Sequence, residues 1–215
     1  MALNPPLLPG NPLPLPVNGE LFILQRKGIR LECQIEGQTR KYDEKGSLYL
    51  STLRMVFVKD PGSRNNGFFG IGAQPPSDLT AVDLPLALIR NERFNQPIFG
   101  CNNMDGVCLA LPGTPGSLLY KLSFHEGGVG TLLPLYLDLL NRNRLWSNGN
   151  GGPSPDDFNR EVAGGGLVRA AYVDPNDPST LFVQQPVQPQ PHSQSREDYY
   201  RYGPPREPPS APPLL

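Results

Sequence analysis

Few side chains in this sequence are typed and spaced for chemistry. The three cysteines, Cys33, Cys101 and Cys108, are odd in number and show no C-x-x-C spacing. They therefore frame neither a disulfide scaffold nor a zinc site, and a reducing, intracellular setting suits them. His125 has no cysteine or second histidine near it in sequence and reads as a loop residue, not a ligand or base. No nucleophile–base pairing and no carboxylate pair stands out. The glycine-rich stretch at 61–77 does not lead a strand into a helix, so it is no phosphate-binding loop. No metal, no cofactor and no enzymatic activity are expected.

What remains is chemistry of recognition. Five basic residues, Arg26, Lys27, Arg40, Lys41 and Lys45, lie early in the chain. Glu32, Glu36, Asp43 and Glu44 dilute them. Near the end of the chain, Tyr199, Tyr200 and Tyr202 sit beside Pro204-Pro205, and Pro209-Ser210-Ala211-Pro212 matches the P-[ST]-A-P form bound by ubiquitin-E2-variant domains. These are candidate motifs for modules that bind proline-rich segments.

The elements that must position these groups are mostly strands. In G-S-L-Y-L-S-T-L-R-M-V-F-V-K-D (46–60), Leu48 and Leu50, then Leu53, Met55 and Phe57, alternate with their neighbours across a break at Ser51-Thr52. The period of two predicts a hairpin with one buried face near the centre of a curved sheet. Upstream, E-L-F-I-L-Q and I-R-L-E-C-Q-I-E predict two strands joined by a turn at Arg26-Lys27-Gly28. Downstream, L-T-A-V-D-L, L-A-L-I-R-N-E-R-F, N-Q-P-I-F-G-C-N-N, M-D-G-V-C-L-A-L and S-L-L-Y-K-L-S-F predict more. Phe68 and Phe69 are expected to pack in the core.

One helix follows. Leu132, Leu135, Tyr136, Leu139 and Leu140 recur at helical spacing, with Thr131 as the expected N-cap, Pro134 in the first turn, and Trp146 as a lid. Strands followed by one amphipathic helix give a mostly-β fold on the plan of a pleckstrin-homology-like barrel.

Proline placement sets the expected boundaries. Of 27 prolines, six fall in residues 1–16 and 13 in residues 146–215. That predicts an extended proline-rich leader over 1–18, a folded domain over 19–146, and a flexible Gly/Pro-rich tail over 147–215. Residues 20–145 carry a charge of +2 and the tail −3, so no nucleic-acid surface and no direct sequence-specific DNA binding are expected. The opening M-A-L-N-P-P-L-L-P has no basic region and no unbroken apolar run, so it is not read as a secretory signal. A monomer in the nucleus or cytoplasm is expected.

Several of these segments together carry a resemblance. G-S-L-Y-L-S-T-L-R-M-V-F-V, L-P-L-A-L-I, F-N-Q-P-I-F-G-C-N, Y-K-L-S-F-H-E-G-G-V-G-T and the opening M-A-L-N-P resemble the GRAM domain of the WW-domain-binding protein 2 family. A-Y-V-D-P-N-D-P-S-T-L-F-V-Q-Q-P is similar to its plant-type members. The resemblance implies a GRAM domain joined to a proline-rich tail that binds protein modules. Because GRAM domains resemble pleckstrin-homology domains, it makes Arg26, Lys27, Arg40, Lys41 and Lys45 the candidates for a lipid headgroup, phosphoinositides included. It also implies an adaptor role, extending in animal members to nuclear coactivation of transcription at chromatin. This sequence departs from the family in lacking P-P-x-Y. Its L-P-x-Y copy, Leu133 to Tyr136, lies in the predicted helix, which places WW binding in doubt.

Overall fold

The computed structural model describes residues 2–9, 13–17, 19–62, 77–110, 115–149 and 177–182, with single positions at 157, 160, 161 and 164. Phe68 and Phe69 lie outside these residues.

The described strands run β1 (Ala2–Leu3), β2 (Phe22–Ile35), β3 (Lys41–Ser51), β4 (Arg54–Lys59), β5 (Ala81–Pro85), β6 (Ile89–Asn95), β7 (Asn103–Cys108), β8 (Leu118–Phe124) and β9 (Thr180–Leu181). The helix α1 spans Leu132–Ser147. The sheet order is β1-β5-β4-β3-β2-β8-β7-β6, with β9 added to β2. A four-strand meander (β2 to β5) and a three-strand meander (β6 to β8) are thus joined along β2 and β8, all antiparallel. With α1 packed inside the curl, the chain has the mostly-β, pleckstrin-homology-like fold that its pattern predicts.

The hairpin at 46–60 is real and central, but it is buried on both faces. Leu48, Leu50, Met55 and Phe57 point into the main core. Tyr49, Val56 and Val58 face outward, yet they too are buried, in a second cluster with Phe22 and Ala81. Leu7 and Leu13 from the leader and Phe182 from the tail cover that cluster. Alternation alone predicts one wet face; the flanking segments remove it.

Those segments revise the expected boundaries. The leader pairs Ala2 and Leu3 with Asp83 and Val82 of β5. Arg54 ties it down: its guanidinium donates to Glu20 (2.8 and 2.9 Å), Asp83 (2.9 Å) and the Leu15 carbonyl (2.8 Å). Within the stretch assigned to a flexible tail, Leu181 and Thr180 pair with Leu24 and Gln25 of β2. Phe182 lies 6.1 Å from Phe22 and 6.4 Å from Tyr49, ring to ring.

Two strand expectations fail for local reasons. Arg26-Lys27-Gly28 is no turn: β2 is one 14-residue strand whose register slips between Arg26 and Ile29. Gly28, at φ +67°, supplies a left-handed residue at that bulge, a conformation a side chain would disfavour. The bend lets the first half of β2 accept β9 and the second half accept β8. The segment 96–102 is a loop, because Pro97 and Gly100 interrupt pairing between β6 and β7.

The helix faces inward as its spacing predicts, burying Leu132, Leu135, Tyr136, Leu139 and Leu140. Thr131 makes no side-chain cap. Trp146, the expected lid, is 52% exposed and is not among the buried residues of the helix. The predicted L-P-x-Y copy sits in this helix with Tyr136 buried.

Candidate functional site

The five basic candidates go to four different places. Arg26 leaves the set altogether, because its side chain is wholly buried in an ion pair with Asp177. It also donates to the carbonyls of Glu126 and Gly127 and lies 5.8 Å from the centre of the Phe124 ring. A guanidinium so enclosed cannot meet a headgroup. Arg40 pairs with Asp78 at 2.5 Å and stacks on Tyr42 at 4.9 Å. Lys41 borders an open groove of about 970 Å³ lined by β3, β2, β8, β7 and β6. That groove is largely self-neutralised, since Arg30 binds Asp43 (2.6 and 2.7 Å) and Arg93 binds Asp105 (2.9 Å).

Lys27 and Lys45 are brought together. Both border an open cavity of about 800 Å³ at the β2 bulge, with Lys59 and His125 on its rim and Tyr49 and Phe182 at its apolar side. Lys27 and Lys45 are exposed and have no ion-pair partner among the described residues. Lys59 is held at 3.0 Å by Glu44. Asp60 and Glu126 also line the cavity, so its positive character is modest.

Lys59 and His125 were not among the sequence candidates. The hairpin register gives a signal for Lys59, because it pairs with Gly46, next to Lys45. His125 owes its place to the contact between β8 and the bulge: its backbone N–H donates to the Gly28 carbonyl at 3.0 Å. In space it does have a cysteine neighbour, with Cys101 Sγ 4.0 Å from its Nε2.

The buried thiols and core phenols are poor reagents. Burial pushes the Cys33 thiol up to about 12 and Cys108 up to about 11, so neither forms a thiolate near neutrality. Burial likewise raises the Tyr120 and Tyr136 hydroxyls, which face each other in the core. No group of three or more potential metal ligands occurs among the described residues. The tail candidates, Tyr199, Tyr200, Tyr202, Pro204, Pro205, Pro209, Ser210, Ala211 and Pro212, lie outside the described residues.

Fold and site together define a pleckstrin-homology-like module with a weakly basic cavity beside its β2 bulge. No known family profile matches the chain. It is 28% identical over 100 residues to a stress-induced protein of Schizosaccharomyces pombe, covering 46% of this chain and 50% of that one. It is 28% identical over 122 residues to the postacrosomal sheath WW domain-binding protein of Bos taurus, covering 52% of this chain and 33% of that one. The matched regions thus span half the length of the first relative and a third of the second. Among solved structures it is similar to the Vps36 N-terminal PH domain, with TM-score 0.44 and 13% identity, over 64% of this chain and 92% of that one.

Proposed function

We propose that this chain is a non-enzymatic adaptor, a rigid β module that carries a proline-rich tail to partner proteins. One observation carries this reading: Asp177 to Phe182 is bonded to β2 and α1, upstream in the chain of the proline motifs. The segment before the tail's motifs is anchored on the module, and the motif candidates, Tyr199 to Pro212, follow further along the chain. The similarity to a protein named for WW-domain binding supports a protein-binding role. A pull-down comparing the full chain with a truncation after Phe182 tests it. Partners should be lost with residues 183–215; retention of every partner would reject the tail as the binding element.

A second reading, that the module docks on anionic lipid, is favoured by Lys27 and Lys45 on one cavity rim, which have no ion-pair partner among the described residues. Each basic residue near such a surface contributes about 1 kcal/mol. Two lysines therefore give an attraction too weak to hold the protein alone. Vesicle binding retained by the truncation after Phe182 would separate this reading from the first.

A further inference from the structure

Ile98 and Phe99 are 94% and 91% exposed, side by side at the tip of the 96–102 loop. Apolar residues scattered singly over a surface are ordinary, whereas an adjacent, fully solvated pair of large ones is not. The loop holds them outward between Pro97 and Gly100, and Gly100 sits at φ +108°, a conformation that side chains rarely adopt.

The position of this tip gives it meaning. Asn95, Asn103, Ser123, Arg30 and Lys45 pair one to the next in a single row across five strands. The loop leaves the sheet between the first two of them. At its root, the Asn102 carbonyl accepts from the Phe124 N–H at 2.9 Å, and Cys101 touches His125. His125 in turn is bonded to Gly28. The apolar tip and the Lys27–Lys45 cavity therefore share one rim of the barrel.

We propose that Ile98 and Phe99 insert into a membrane, beside Lys27 and Lys45 on the anionic headgroups. This rests on the lipid reading above and supplies what that reading lacks, an apolar anchor. A protein partner fits less well. Protein hot spots sit inside a packed patch ringed by other contacts, whereas Ile98 and Phe99 stand almost wholly in solvent and line neither the Lys27–Lys45 cavity nor the shallow pocket of Phe94, Val129 and Leu133 that Gln96 and Asn102 border.

Cosedimentation of the full chain with phosphatidylcholine vesicles, with and without phosphatidylserine or phosphoinositide, tests the proposal. Wild type should bind the anionic vesicles. The Ile98→Ser/Phe99→Ser variant should melt like wild type and lose at least about tenfold in binding, since two large apolar side chains no longer leave water. Lys27→Glu/Lys45→Glu should lose the preference for anionic lipid. In Phe99→Trp, emission corrected for Trp146 should shift to the blue on vesicles and be quenched by brominated acyl chains. If the serine variant binds like wild type while the glutamate variant does not, insertion is wrong and the lipid reading stands. If wild type ignores every vesicle, both fall. A tip variant that loses a protein partner but no vesicle binding would assign the tip to that partner.

Discussion

Asp177 and Arg26, 151 residues apart in the chain, meet in an ion pair in which neither side chain touches solvent. The same carboxylate accepts the backbone N–H groups of Thr131 (2.9 Å) and Leu132 (3.3 Å), taking the capping role that Thr131 leaves unfilled. It also accepts from the N–H (3.0 Å) and hydroxyl (2.6 Å) of Ser179. One side chain thus fastens the tail segment, the β2 bulge and the positive end of α1 to each other.

Asp177→Ala should cost about 3–5 kcal/mol, because it leaves the Arg26 guanidinium buried without a counter-charge. Arg26→Met combined with Asp177→Asn should recover much of that loss, since it removes the buried charge and keeps an oxygen for the helix cap. Urea denaturation of the two variants measures both effects. A loss under about 1 kcal/mol in Asp177→Ala would mean that the pair is solvated in solution.

Acid should weaken the same contact. Burial raises the Asp177 pKa, but hydrogen bonds from Ser179 and Thr131, with the charge of Arg26, outweigh it and hold the value below 3.8. A depressed folded-state pKa stabilises fully above the unfolded value and is lost as pH falls through the folded one. Protection of the β9 amides from hydrogen exchange should therefore fall below about pH 4. Asp177→Asn should show no such step in β9; an identical step there would assign it to another carboxylate.

Removing the chain after Gly149 should lower stability, whereas removing it after Phe182 should not. The shorter form loses Asp177 and also Phe182, which covers Phe22 and Tyr49. Differential scanning calorimetry of the three lengths decides this. Equal melting temperatures would restore the 19–146 boundary read from proline content.

The parts of the fold legible in the sequence are those in which one residue's neighbours specify its partner. Leu48, Leu50, Met55 and Phe57 announce their shared face by alternation, and Leu132 to Leu140 do so by helical spacing. Arg26 illustrates what is not legible. Next to Lys27, it looks like half of a basic cluster, but it shares the inward face of Leu24 while its neighbour stays out. Its counter-charge lies in a proline-rich stretch whose composition predicts no packing at all. Likewise, the meeting of Lys27 and Lys45 at one cavity depends on register across β2 and β3, which no local pattern encodes. The apolar pair in N-Q-P-I-F-G-C-N-N reads as strand because exposure of Ile98 and Phe99 has no signature in residue type.

Phe57→Ala should destabilise the barrel by about 3–5 kcal/mol through lost burial and the cavity left behind. Phe57 is fully buried opposite Leu48 and Val82, at the middle of the four-strand meander. A thermal melt within a degree or two of wild type would refute that packing.

WW-domain binding by this chain should be weak or absent. A WW groove takes a proline pair and a following tyrosine from one face of a polyproline-II segment. The chain offers two approximations. Leu133 to Tyr136 has the L-P-x-Y order, but it is helical and Tyr136 is buried against the barrel, so its presentation would require α1 to unfold. In the tail the order is inverted: Tyr202 precedes Pro204-Pro205, and Arg206-Glu207 follow, so no tyrosine reaches the second pocket. Contact through proline alone forfeits the aromatic share that dominates such interfaces. Titrating a peptide of residues 196–215 into a panel of WW domains measures this directly, and no saturable binding is expected. Micromolar binding abolished by Tyr202→Ala would show that the inverted order suffices. Binding instead to a ubiquitin-E2-variant domain, lost on Pro209→Ala, would give the tail's partner class as the one that recognises Pro209 to Pro212.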